Sequence, residues 1–261
     1  MGAVAGPLLL SPTNAISADS IREDDTATTK NRIQKMSLRT GVPLKEMAAF
    51  YKDVLEMNIH LTEKQLIVEA GATKIIFMPT SDGTKPYYHF AFNIPENKIL
   101  SARTWLGART KLSVTPVGGR EKGLPNDIMP FNHWNSHSLF FWDPAGNILE
   151  LICRHDLKNG TKGDFRSDEI FYASEIGFVT EDVNQLAGNI KSTFQLEQYQ
   201  GGGSTFRAIG DETGLLILFK RGGTPVGAQP GQSWQIHPTD VIVRPDMRFE
   251  SKTDPHSIAA G

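Results

Sequence analysis

Glu150 is the residue whose chemistry stands out first, because it sits among Ile148, Leu149, Leu151 and Ile152 in an otherwise apolar run. A carboxylate buried in mid-strand is costly unless it is paired. It therefore calls for a cation, a hydrogen-bond donor or a metal. Upstream, residues 115–136 form a long Gly- and Pro-containing segment that holds Arg120, Lys122, Phe131 and Trp134. A loop of that length in a compact domain is often a lid or binding loop, and its cations suit an anionic substrate. The plainer alternative is a solvated loop whose aromatics pack on the domain edge. Trp105 and Trp142 read as core, and Cys153, the single cysteine, reads as a small buried residue rather than a nucleophile. Gly201-Gly202-Gly203 lacks the preceding strand and following helix of a phosphate loop, and no Gly-x-Ser-x-Gly elbow occurs.

These side chains need strands and turns to place them. Asp143-Pro144-Ala145-Gly146 sets Asp, Pro and Gly at the first, second and fourth positions of a type I turn, so the apolar runs around it form a hairpin. Three segments share one pattern: Ile33 to Leu38, Tyr87 to Phe92 and Ala173 to Phe178. Each has a polar residue third, a small one fifth, and large apolar ones fourth and sixth. Alternation then sends the polar and small positions to one face and the large ones to the other. A helix pattern follows each strand, with apolar stripes at Leu44, Met47, Ala48, Tyr51 and Leu55, then Ile99, Ala102 and Leu106, then Val183, Leu186, Ala187, Ile190 and Phe194. Pro43 suits the first helix start and Asp182 can cap the third. Short strand runs complete each unit, with Asp211-Glu212-Thr213-Gly214 in the third taking the place of the Asp143 turn. The chain thus reads as three βαβββ units of about fifty to seventy residues, followed by an extra strand at Asp240 to Arg244.

The 261 residues suffice for a sizeable core, and a net charge of −2 argues against general attraction to nucleic acid or membranes. One cysteine excludes an internal disulfide framework and a cysteine-rich zinc site. No run is long enough to span a bilayer. Residues 1–29 read as a disordered tail or the remnant of an export signal, since Gly2 to Leu10 is apolar and Ala15-Ile16-Ser17-Ala18 resembles a cleavage site. Two localisations follow: cytoplasmic as the sequence stands, or exported if residues 1–18 end a longer signal. The expected organisation is a paired βαβββ domain over 30–157, a third such unit over 158–221, and linker, extra strand and loose tail over 222–261.

The repeat, the segment Tyr88-His89-Phe90-Ala91-Phe92 and the motif Asp143-Pro144-x-Gly146-Asn147-x-x-Glu150 resemble the vicinal oxygen chelate superfamily. That superfamily includes glyoxalase I, extradiol ring-cleaving dioxygenases and bleomycin-resistance proteins. The resemblance covers roughly residues 30–156, and more loosely 167–221. It implies an α+β fold in which two βαβββ units form a cup-shaped mixed sheet, with a third partial unit beside them. It also implies a divalent metal (Fe, Mn, Zn or Ni), held by a first-strand His of each unit and a last-strand Glu.

Carried over by position, His89 and Glu150 are metal ligands. The first unit has Lys35 where a His should stand, and an ammonium has no lone pair to give. The third unit has Glu175 there, and Phe77 and Leu218 replace Glu150 in the other last strands. His137 is the candidate for the missing ligand and, with Glu150, for catalysis. Its alternative is a loop histidine at a strand entrance, as His133 and His60 also read. Lys35, Arg120 and Trp134 are candidate substrate-binding residues.

Two functions compete. One is a metal-dependent glyoxalase/dioxygenase-type enzyme acting on a small oxygenated substrate, by lyase, isomerase or ring-cleaving chemistry. The other is a metal-free binding protein of the bleomycin-resistance kind, in which a Lys35–Glu150 ion pair replaces the metal. A structural role with a decayed site is a third reading, and an unpaired third unit implies a homodimer or a decorated monomer.

Overall fold

The computed structural model describes residues 31–243, 248–251 and 254–259. The N-terminal tail or export remnant read from residues 1–29 lies outside the described residues, as does part of the expected loose end. Among the described residues no helix is long and apolar enough to cross a membrane.

The first unit is β1 (Lys35–Thr40), α1 (Leu44–Ala49, prolonged by a wider turn at Phe50–Val54), β2 (Asn58–Leu61), β3 (Leu66–Ala70) and β4 (Thr73–Pro79). The second is β5 (His89–Ile94), α2 (Ile99–Gly107), β6 (Ile128–Phe131), β7 (Ser136–Trp142) and β8 (Ile148–Arg154). The third is β9 (Tyr172–Thr180), α3 (Val183–Phe194), β10 (Gln198–Tyr199), β11 (Phe206–Asp211) and β12 (Gly214–Lys220). All three helices bury the stripes that their spacing predicts, and Asp182 caps α3 by accepting from the Gln185 amide at 3.0 Å. At the Asp143 turn, Gly146 takes a φ of 77° and its amide donates to the Asp143 carbonyl.

Within each unit the first strand pairs parallel with the last, giving the orders β1-β4-β3-β2, β5-β8-β7-β6 and β9-β12-β11-β10. After these come β13 (Thr239–Ile242), β14 (Arg248–Glu250) and β15 (His256–Ala259), in the order β13-β15-β14 with β13 parallel to β15. This is the same pattern again. The expected single extra strand is the first strand of an abbreviated fourth unit, with less chain between its first two strands than the others have.

The units pair differently from the sequence expectation. The first unit joins the fourth through β1–β13, making a seven-stranded sheet. The second joins the third through β5–β9, making an eight-stranded sheet. So the cup that holds Glu150 is built from the second and third units, not the first and second. The two sheets share one core, which includes Met36, Leu38 and Phe77 from one and Phe90, Phe92 and Leu151 from the other.

One glycine fixes how the sheets meet. Gly71, in the β3–β4 turn, has a φ of +55°, and a Cβ built there would lie 2.0 Å from the Phe171 carbonyl oxygen. The next amide, of Ala72, donates to that same oxygen at 2.8 Å. Gly71→Ala is expected to cost about 1–3 kcal/mol, from the left-handed backbone and the lost close approach together. A urea midpoint unchanged from wild type would contradict this account of the inter-sheet contact.

Candidate metal centre

Register brings together three side chains that could hold a metal ion. Ala91 in β5 pairs with Glu150 in β8 on one side and with Glu175 in β9 on the other. Paired residues point to the same face, and His89 lies two residues before Ala91, on that face too. The His89 Nε2 atom is 3.5 Å from Glu150 Oε2 and 3.7 Å from Glu175 Oε2. All three side chains are buried, and one ligand atom from each lies within 4.8 Å of the others. Two atoms that each sit ~2.1 Å from a shared ion at a near-tetrahedral angle are ~3.4 Å apart, so this spacing fits a divalent metal. Gly177 leaves the room: a Cβ there would lie 3.3 Å from the His89 carbonyl and 3.1 Å from Phe219.

The surroundings orient these groups. His89 Nδ1 is 3.0 Å from the Ile148 carbonyl. That contact requires the proton on Nδ1 and leaves the Nε2 lone pair facing the carboxylates, as metal-binding histidines need. Arg154 is fully buried; its Nη2 pairs with Glu175 Oε1 and its Nε donates to Asn93 Oδ1 at 3.3 Å. Burial pushes the Glu150 carboxyl up to about 7, with the charge of Glu175 adding to the push. Burial acts on Glu175 in the same direction, but His89 and Arg154 outweigh it and hold that carboxyl below its ordinary range. Burial alone would lower the His89 imidazolium, yet the two carboxylates raise it. The cluster is therefore built to hold positive charge.

The other sequence candidates fall elsewhere. Lys35 starts β1 in the seven-stranded sheet, opposite Ile242 and Lys74, half-buried on the face it shares with half-buried Ser37 and exposed Arg39. It makes no ion pair with Glu150, because the first unit does not contribute to this cup. His137 pairs with Cys153, three residues from the Phe140–Glu150 pair, and an odd step along a strand points it to the other face of the sheet. There it contacts His155 Nε2 at 2.7 Å and Glu121 at 3.1 Å, away from the cluster. Arg120 lies on the outer loop, donating from Nε to the Thr115 carbonyl. Trp134 does reach the cup: it is buried, packs near Phe206 and Tyr199, and has Arg154 5.8 Å from its ring.

The positions equivalent to Glu150 also need correcting. Glu150 pairs with Ala91, so its counterparts are the partners of Ser37 and Gly177, namely Ile76 and Ile217. Phe77 and Leu218, one residue on, face the core. Glu175 and Arg154 are the residues of this cluster that the sequence reading did not assign to the site. The reasoning that singled out Glu150 reaches both: each is a charge in an apolar strand, and Arg154 lies four residues beyond Glu150, on the same face.

No protein-family model matches the chain, and no curated protein matches it. Solved structures do. A putative dioxygenase from Bacillus subtilis subsp. subtilis str. 168 aligns with a TM-score of 0.53 at 18% identity, covering 84% of this chain and 72% of its own. The V278E mutant of glyoxalase I from Zea mays aligns with a TM-score of 0.50 at 13% identity, covering 88% and 92%. The likeness is one of fold. The chain has the α+β, glyoxalase-like architecture expected from its resemblance to the vicinal oxygen chelate superfamily.

Proposed function

We propose that this protein is a metal-dependent enzyme of the glyoxalase/dioxygenase type, acting on a small oxygenated substrate held in the cup of the eight-stranded sheet. The observation that carries this reading is the convergence of His89, Glu150 and Glu175 in a buried, oriented set. One imidazole and two carboxylates suit Fe, Mn, Zn or Ni, and the second carboxylate favours the harder members, Mn and Fe. A divalent ion bound there supplies a Lewis acid that draws substrate oxygens together and stabilises negative charge as it develops on them.

The chain's own residues do the rest. His89 presents Nε2, fixed by the bond at its other nitrogen. Arg154 holds the Glu175 carboxylate ionised and in place. Glu150, whose carboxylate faces the same space as the substrate oxygens would, is the group placed to accept a proton from a substrate carbon or hydroxyl and return it. Phe131, Phe140, Phe206 and Phe219 line the chamber above and exclude water. A metal-free binding role resting on a Lys35–Glu150 pair lacks its structural premise, since those residues belong to different sheets.

The test is titration of chelator-treated protein with Mn(II), Fe(II), Zn(II) and Ni(II), the iron under anaerobic conditions. One equivalent per chain should be taken up. Protons compete for the same lone pairs, so uptake should weaken as the pH falls through about 7, the value to which Glu150 is raised. Absence of saturable uptake by any of the four ions would remove this reading.

A further inference from the structure

The segment that leaves β12 and runs to β13 roofs the cup. Trp142 Nε1 donates to the Gly227 carbonyl at 2.9 Å, and Gln232 Nε2 to the Gly146 carbonyl at 2.9 Å. The Tyr87 hydroxyl bonds to the Ser233 carbonyl. Two backbone bonds, Gly222 N to Trp234 O and Trp234 N to Gly223 O, close the base of the loop. Trp234 is buried and stacks on Phe219 with ring centroids 4.0 Å apart. Under this roof the chamber containing His89, Glu150 and Glu175 has a free volume of about 70 Å³. A single water needs ~10–15 Å³ of such space, so only a few small groups of a substrate can reach these side chains.

Beside it, between residues 113–116 and the roof segment 224–232, lies a second, half-open cavity of about 610 Å³. The two spaces share Phe140 and Val226 as wall residues. The larger volume falls in the ~300–1,000 Å³ range of small-molecule sites. No residue lining it is charged; its polar groups are those of Ser113, Thr115, Thr224, Gln229 and Gln232. A charged group desolvated there would find no counter-charge among them.

We propose that this outer cavity holds the non-reacting body of the substrate, an uncharged, ring-sized organic group, with Phe140 and Val226 as the doorway through which the reacting end enters the metal chamber. The proposal rests on the reading of that chamber as the reaction site. It divides the substrate into a small oxygenated head and a larger neutral body, and it assigns selection of that body to residues 113–116 and 224–232.

The experiment uses two probes on one ring system: neutral N-phenyl-1-naphthylamine and its sulfonated relative 8-anilinonaphthalene-1-sulfonate. The neutral probe should brighten and saturate near one per chain, at least tenfold tighter than the sulfonate. Val226→Trp fills the doorway from a half-exposed position, and Ala228→Trp fills the cavity from its wall. Each should weaken the neutral probe tenfold or more. Equal affinity for the two probes, or affinity untouched by both substitutions, would overturn the proposal. Metal content is measured on the same samples. His89→Ala should lose metal and keep the probe, so loss of probe binding and loss of metal report separately on the cavity and on the reaction site.

Discussion

His89→Ala is expected to abolish metal retention, weakening uptake by ~100-fold or more while leaving the protein folded. Loss of groups that merely orient a ligand commonly costs 10–100-fold in affinity, and removal of a ligand itself should cost at least as much. The electrostatics point the same way. Without the imidazole, Glu150 and Glu175 face each other in a buried space with Arg154 as their nearby cation. Glu150, already raised to about 7, then moves further towards its protonated form and ceases to be a ligand. His60→Ala, on the second strand of the other sheet, serves as the control and should retain metal. Elemental analysis after dialysis distinguishes them, and near-UV circular dichroism checks packing. Full metal retention by His89→Ala would show that the imidazole is a wall residue and that the carboxylates bind metal alone or not at all.

The parts of this site legible in the sequence are those fixed by local pattern. Strand alternation set His89 and Ala91 on one face, and the cost of burying a carboxylate marked Glu150. Helix periodicity gave all three helices, and the Asp143 turn gave the hairpin. Short edge strands such as β2 and β10 carry too few alternating residues to stand out. What pattern could not supply was which unit closes on which. That choice depends on β5 pairing with β9 rather than β1, a contact between segments some eighty residues apart. Lys35 and Glu175 occupy the same position in their repeats, so the error in pairing exchanged a cation for a carboxylate in the expected site. His137 failed for a smaller reason, its odd spacing of three residues from Phe140 opposite Glu150, because a strand presents alternate residues to opposite faces. Both errors are non-local or parity errors, whereas His89 and Glu150 were read from local sequence.

Arg154→Met should destabilise the protein by ~3–5 kcal/mol, the usual cost of breaking one side of a buried ion pair. Arg154 is 1% exposed and is the permanently charged partner of Glu175, beside His89. Its Nη1 has no hydrogen-bond partner among the described residues, so the guanidinium is not held there for hydrogen bonding alone. The charge balance explains it better. A metal site with two histidines and one carboxylate carries one negative charge; His89, Glu150 and Glu175 carry two, and Arg154 returns the total to one. Removing only the arginine leaves an uncompensated buried carboxylate. Removing both charges in Arg154→Met/Glu175→Gln does not, so the double variant should recover most of the lost stability. At ~2–4 °C per kcal/mol for a chain of this size, the single variant should melt ~10 °C below wild type. The double should melt within a few degrees of it, yet bind metal poorly because a ligand is gone. Additive losses in the two single variants would mean that Arg154 acts through packing against Trp134 instead of through charge.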